Sequence, residues 1–214
     1  MPEPVGRRER SKRDKRERIQ AAAGALFDER GYAAVTTQEV AERADVAAGT
    51  LFRYASTKAE LLLMVYNSRV ADSLVRGRAA AARRRSPLAK VMALLEPLVV
   101  DGRAHDENTA AYQREVMFGS PQEPFRAEAL GLFDGLVAEV AEVLASASPG
   151  QGAHEGALSA AKAVLAVFHV AILGAAREAP ATPALLSDLE AQVGLIVRGF
   201  LDAAPTTARE GAPS

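Results

Sequence analysis

Cysteine is absent from the 214 residues. Its absence excludes a disulfide framework, a thiolate metal site and a cysteine nucleophile, and it fits a reducing cytoplasm. Tryptophan is missing too, and aromatics make up only 5% of the chain. Ala, Leu and Val supply the apolar surface instead, and that bias favours helices over strands. No apolar run reaches the roughly 20 residues of a spanning helix; the longest, Ala163 to Ala176, is interrupted by His169. The N-terminus is charged with no apolar segment behind it, so neither a secretory signal nor a membrane partner is expected. His105, His154 and His169 show no ligand-like spacing, and no metal or cofactor is expected.

The charge is unevenly placed. Residues 1–20 hold eight basic and four acidic side chains, a net +4, whereas the whole chain is −1 and the remainder is therefore −5. A basic arm on an acidic body is the layout of a chain that offers one end to a polyanion. The plainer reading is a solvated, frayed N-terminus.

Periodicity gives an all-α chain of about nine helices. Between Lys12 and Arg30, Ile19, Ala22, Ala23, Leu26 and Phe27 recur at helical spacing, and Gly31 can close the helix. Thr36 and Glu39 form a capping box that opens a short helix ending near Ala44. Asp45-Val46 turns the chain into a second short helix, about Ala48 to Tyr54. Thr57 and Glu60 form another capping box and open a long helix ended by Arg83-Arg84-Arg85. Further helices are expected at about Leu88–Val100, Asn108–Phe118, Glu123–Ala147, Glu155–Ala179 and Pro183–Ala203, with a disordered tail at 206–214.

Two short helices on a tight turn leave the second free to enter a major groove. Val40, Ala41, Ala44 and Val46 account for the apolar anchoring of that unit. Thr36, Thr37, Gln38, Thr50, Arg53, Tyr54 and Lys58 remain, and their chemistry suits phosphates and base edges. A three-helix cap with a solvated face would explain the same pattern.

The run Ala21–Leu62 resembles the N-terminal domain of the tetracycline-repressor (TetR) family. The matching features are Gly31-Tyr32, Thr36-Thr37, the short Val-Ala helix, Gly49-Thr50-Leu51-Phe52-Arg53-Tyr54, Thr57-Lys58 and Glu60. The resemblance implies a phosphate contact at Thr37, a recognition helix carrying Thr50, Arg53 and Tyr54, and a backbone grip by Lys58. The sequence departs from the family pattern at Asp45, Ala47, Phe52 and Ala55. Phe52 has no hydroxyl for a phosphate and is left to pack inward or to lie on a thymine methyl. Arg53 is the leading candidate for a base contact, with a phosphate contact as the close alternative.

The remaining chain divides by expectation into residues 1–60, a helix-turn-helix domain with its basic arm, and residues 61–205, a ligand-binding and dimerisation domain. Leu158, Ala161, Leu165, Phe168, Ile172 and Ala175 form one apolar seam; Leu186, Leu189, Val193, Ile196 and Phe200 form another. The resemblance implies that these last two helices pair with a second copy in a homodimer. It also implies a pocket among the middle helices, with Leu95, Val99, Tyr112, Val116, Phe118, Phe133 and Val137 as lining candidates. His105, Gln113, Glu115 and His169 are its candidate polar groups. The function expected is a dimeric regulator, a repressor and not an enzyme, bound to a palindromic double-stranded operator and released by a small apolar effector. The alternatives are a helical-bundle enzyme, an adaptor of stacked helices, a small-molecule binder without DNA, and a DNA binder without ligand. The enzyme would need inward Glu-x-x-His pairs, which do not occur, and the adaptor would need repeats.

Overall fold

The computed structural model of the chain describes residues 6–120, 123–148 and 153–203. Glu3, the breaks read at Pro121 and at Pro149-Gly150, and the tail at 206–214 lie outside them. The described residues hold nine α-helices and one 3₁₀ turn, with no strand among them. In chain order these are α1 (Arg7–Arg30), α2 (Thr37–Arg43), α3 (Ala48–Leu51), α4 (Lys58–Ala81), α5 (Pro87–Gly102), the 3₁₀ turn (Arg103–His105), α6 (Asp106–Phe118), α7 (Pro124–Ala147), α8 (Ala153–Glu178) and α9 (Thr182–Ala203).

The expected face of α1 is the buried one: Ile19, Ala22, Ala23, Leu26 and Phe27 all lie in the core. Gly31 closes the helix at φ 78°, donating its N–H to Phe27 O at 2.9 Å. The start differs from expectation. The helix begins at Arg7, so the basic segment is helical rather than a frayed arm. The second short helix is also different, since α3 ends at Leu51 rather than near Tyr54. Ala47 offers it no side-chain cap, and the Arg53 and Tyr54 N–H groups bond only three residues back, to Thr50 O and Leu51 O. That pattern tightens the backbone and ends the α-helix.

The central strut is α4, which packs against α1, α5, α6 and α7. Thr57 caps it as expected by accepting the Glu60 N–H, but the box is not reciprocal. Glu60 turns instead to the Ser56 N–H and hydroxyl, both at 3.0 Å. Where α4 crosses α5, a Cβ on Gly77 would stand 2.9 Å from Leu94 O, so only glycine allows the helices this close. Pro87 sits in the first turn of α5 behind the Ser86 cap, as the sequence suggests. The interior Pro97 has no N–H for the Ala93 carbonyl, which lies beside the same crossing.

The two terminal seams turn mostly inward. Ala161, Leu165, Phe168, Ile172 and Ala175 on α8, and Leu189 and Val193 on α9, are buried within the single chain. Their neighbours face out: Val170 is 71% and Leu195 67% exposed. The reason is that α8 and α9 pack on each other while α7 and α5 cover them from within. The seam set out above is therefore internal core. By length and composition, His154–Glu178 could also cross a membrane. This corrects the reading that the apolar run is too short: the helix extends beyond it at both ends. Its inner stripe is packed against protein, and only the outer one is uncovered.

Candidate nucleic-acid interface and effector cavity

At α2, sequence and geometry agree closely. Thr36 Oγ1 accepts the Glu39 N–H at 3.2 Å, and the Glu39 carboxylate accepts the Thr36 N–H and hydroxyl, both at 2.8 Å. Arg30 approaches the same carboxylate at 2.6 Å. The Arg30 guanidinium and then the two Thr36 donors hold the Glu39 carboxyl down at about 2. The box is thus complete above the ordinary carboxylate range and opens as pH falls towards 2. The exposed Thr36 is occupied as a cap, which leaves Thr37, half-buried in the first turn, as the hydroxyl of the pair not engaged in it.

The turn from α2 to α3 is fixed by a residue the sequence reading missed. Arg18 on α1 donates Nε to Ala44 O at 3.0 Å and Nη2 to Asp45 Oδ2 at 3.0 Å. Asp45 takes the left-handed conformation, φ 51°, that its position demands. Beyond the turn, Gln38 is exposed and bonds Glu42 at 2.9 Å, while Arg53 is exposed with Nη2 3.4 Å from Thr50 Oγ1. Phe52 projects outward, 47% exposed, rather than packing inside; the buried position goes to Ala55. Tyr54 is half-buried against the core. Gln38, Phe52 and Arg53 are therefore exposed, and Thr37 and Thr50 half-buried, along α2, α3 and the turn that follows. Lys58 does not extend from it. Its Nζ donates to Ala33 O at 3.0 Å and lies 4.5 Å from the Tyr32 ring centre, and desolvation there lowers its pKa.

In the body a cavity of about 40 Å³ lies beside α4, between α5, α6, α7 and α8. That is room for a few waters and far below the ~300 Å³ of a small-molecule pocket. Of the sequence candidates, Tyr112, Phe133 and Gln113 line it. Leu95, Val99 and Val116 are buried elsewhere in the core, Val137 only partly so. Phe118 is not a cavity residue: α6 ends there at Gly119, and the ring is 78% exposed. Glu115 lies at the end of α6 where its carbonyl takes the Gly119 N–H, and His105 pairs with Asp28 at 3.4 Å. The wall the sequence reading missed is on α4, where Tyr66, Val70 and Ser73 recur at helical spacing, opposite Leu98 and Phe168. That spacing was the available signal. The Tyr66 hydroxyl is buried and makes no hydrogen bond of good geometry among the described residues, although Asn108 and Arg69 lie beside it.

His169 stands behind the cavity with Nδ1 2.7 Å from Gln113 Oε1 and its ring 5.0 Å from that of Phe133. Since the Gln oxygen only accepts, Nδ1 carries the proton. Burial lowers the His169 pKa from 6.5. Unfolding therefore takes up a proton as pH drops below that value, and stability held above about 6.5 falls as pH decreases. Replacing His169 with Phe should shrink the drop in Tm between pH 7 and 5. An identical drop in the variant would assign it to other groups.

Residues 19–65 match the model of bacterial regulatory proteins of the tetR family. Over those residues the chain is similar to the N-terminal domain of that family. Among curated proteins, the chain is 33% identical over 129 residues to the HTH-type transcriptional repressor KstR of Rhodococcus jostii. The match spans 60% of this chain and 60% of that repressor's own length. Among solved structures, a TetR regulator from Rhodococcus sp. RHA1 aligns with TM-score 0.68 at 21% identity, covering 87% of this chain and 97% of that one. Thermus thermophilus FadR, a repressor solved in complex with lauroyl-CoA, aligns at 0.62 and 22% identity over 93% of this chain and all of its own. At such identities the two structures establish the TetR fold alone.

Proposed function

We propose that the chain is a homodimeric transcriptional repressor. In this reading residues 1–60 hold a palindromic operator through α2 and α3, and residues 61–205 dimerise and bind a small apolar effector. The observation that carries the reading is the tetR-family match at 19–65, which spans the exposed Gln38, Phe52 and Arg53 and the half-buried Thr37 and Thr50. Arg53 reads a base edge, and Phe52 suits a thymine methyl. Dimerisation is supported by the outward stripe of Ala163, Val167, Val170 and Gly174 on α8 beside Ala191, Leu195 and Gly199 on α9. These are apolar or small residues at helical spacing. The apolar walls of the cavity, with the buried Tyr66 hydroxyl, support an effector with an apolar body and one polar group. The lauroyl-CoA complex of Thermus FadR makes an acyl thioester the first compound to try. Entry requires the walls to part, and that movement would respace the recognition helices.

The test is a gel shift with DNA from upstream of the chain's own gene, repeated with lauroyl-CoA. Binding by wild type and release by the thioester are expected. Failure to bind that DNA and a wider genomic library would overturn the reading. Arg53→Ala should weaken operator binding by about 1–3 kcal/mol and relax preference at one position of each half-site. Loss that is equal on all duplexes would make Arg53 a phosphate contact. Lys58→Ala should reduce the salt slope by about 0.9 per subunit only if the side chain leaves Ala33 O on DNA. An unchanged slope would confine Lys58 to holding the α1–α2 loop.

A further inference from the structure

In the described structure the first half of α1 is a helical overhang with almost nothing to pack on. α1 packs on α4, with Gly24 against Val65 and Arg69, and Asp28 paired to Arg69 at 2.7 Å. The last anchors towards the N-terminus are Arg18, held at the α2–α3 turn, and Arg16, 5.4 Å from the centre of the Phe125 ring. The helix continues from there to Arg7, a further nine residues and roughly 14 Å at 1.5 Å per residue. The overhang leaves the domain on the side of the turn that feeds the recognition helix. At the other end of α1, Phe27 meets the body through Asn108.

Residues 7–18 carry eight basic and three acidic side chains. Three of the cations already have partners: Arg13 with Glu17 at 3.6 Å, Arg16 on Phe125, and Arg18 at the turn. Among the described residues Arg10, Lys12 and Lys15 make no ion pair. Lys12 and Lys15 lie in register with Ile19, Ala22 and Leu26, the face that α1 buries in the domain. Where the domain stops covering that face, it turns from apolar to basic. Lys12 repels Lys15 and Arg16 at i+3 and i+4, and the concentration of cations opposes the positive end of the helix dipole. A free helix gains nothing from that arrangement, whereas a polyanion alongside relieves it.

We infer that this overhang is a second DNA contact, in which Arg10, Lys12 and Lys15 hold backbone phosphates flanking the half-site bound by α2 and α3. The inference rests on the DNA-binding reading above and extends it. The flanking grip adds affinity without sequence preference, because it meets phosphates rather than base edges.

The experiment uses the full chain and a fluorescein-labelled 40-base-pair duplex of random sequence, titrated across a salt series. The variant is Arg10→Gln, Lys12→Gln and Lys15→Gln together; all three positions lie outside the core. A control removes the same charge at the far end of α4, as Arg83→Gln, Arg84→Gln and Arg85→Gln. The overhang variant should flatten the slope of log K against log salt by about 2.7 per subunit, three contacts at about 0.9 each. The control should match wild type. Equal slopes for wild type and overhang variant, with both bound, would overturn the overhang contact and leave the repressor reading standing. Equal flattening in the control would reduce it to a general charge effect and also overturn it. No binding of this duplex by wild type would overturn the overhang contact, whose grip needs no operator, and would leave the repressor reading to the gel shift. Loss of binding to vesicles of anionic phospholipid, with DNA binding intact, would reassign the overhang to a membrane surface.

Discussion

Leu189→Glu should destroy the fold, while Leu195→Glu should leave a folded monomer. The two residues are six apart on α9, but Leu189 is fully buried and Leu195 is 67% exposed. Leu189 packs where α9 meets α5 and α8, so the substitution removes a core side chain and buries a carboxylate with no partner. The loss should exceed about 5 kcal/mol, comparable with the whole stability of an ordinary domain. Circular dichroism should show no cooperative thermal transition, or the protein should be insoluble. Glu at Leu195 faces water in the single chain and meets a second copy only in the proposed dimer. Sedimentation should give one subunit's mass, helical signal should persist, and Tm should lose its dependence on concentration. A folded monomer from Leu189→Glu would return the interface to the inner seam. A stable dimer from Leu195→Glu would move it off α9.

This contrast marks where sequence pattern stops being informative. The seam through Leu189 and Val193 and the stripe through Leu195 are both legible as apolar helical spacing. Spacing states that a face is apolar, and it does not state what covers it. The same ambiguity separates Tyr112 and Phe133, which line the cavity, from Leu95 and Val99, which are simply packed. Features fixed by local chemistry were readable. The Thr36–Glu39 box, the left-handed Asp45 and the Gly31 closure each follow from a few adjacent residues. The contacts of Arg18 and Lys58 were not readable because their partners, Ala44 O and Ala33 O, are backbone atoms 26 and 25 residues away. Phe118 looked like core on one helical face. The helix ends with it, so nothing remains to cover the ring.

Asn108→Leu should loosen the proposed DNA-reading unit from the body while the shared core stays folded. Asn108 is buried at the start of α6; its Nδ2 donates to Phe27 O at 2.9 Å, and its Oδ1 accepts the Tyr32 N–H at 2.6 Å. One amide thus grips both sides of the turn that ends α1. Glu107 beside it accepts the Ala33 N–H at 3.0 Å, and a Cβ on Gly31 would come within 2.6 Å of its carboxylate. Leu matches the size of Asn but returns neither bond. The Phe27 carbonyl still has the Gly31 N–H, so the larger penalty falls on the Tyr32 N–H, left buried without an acceptor. Together these should cost about 2–4 kcal/mol, or roughly 4–16 °C in Tm for a chain of this size. Hydrogen exchange should show the Tyr32 amide losing protection, while amides in the middle of α4 keep theirs. The functional consequence follows from α6 itself. Thr109, Tyr112 and Gln113 form cavity wall within about one turn of Asn108, so a shift of α6 on effector entry would reach the α1–α2 turn through this side chain. The variant should therefore retain operator binding but respond less to the effector. Unchanged Tm with a protected Tyr32 amide would mean that the turn is held by Glu107 and the core alone, and that Asn108 carries no signal between the two halves.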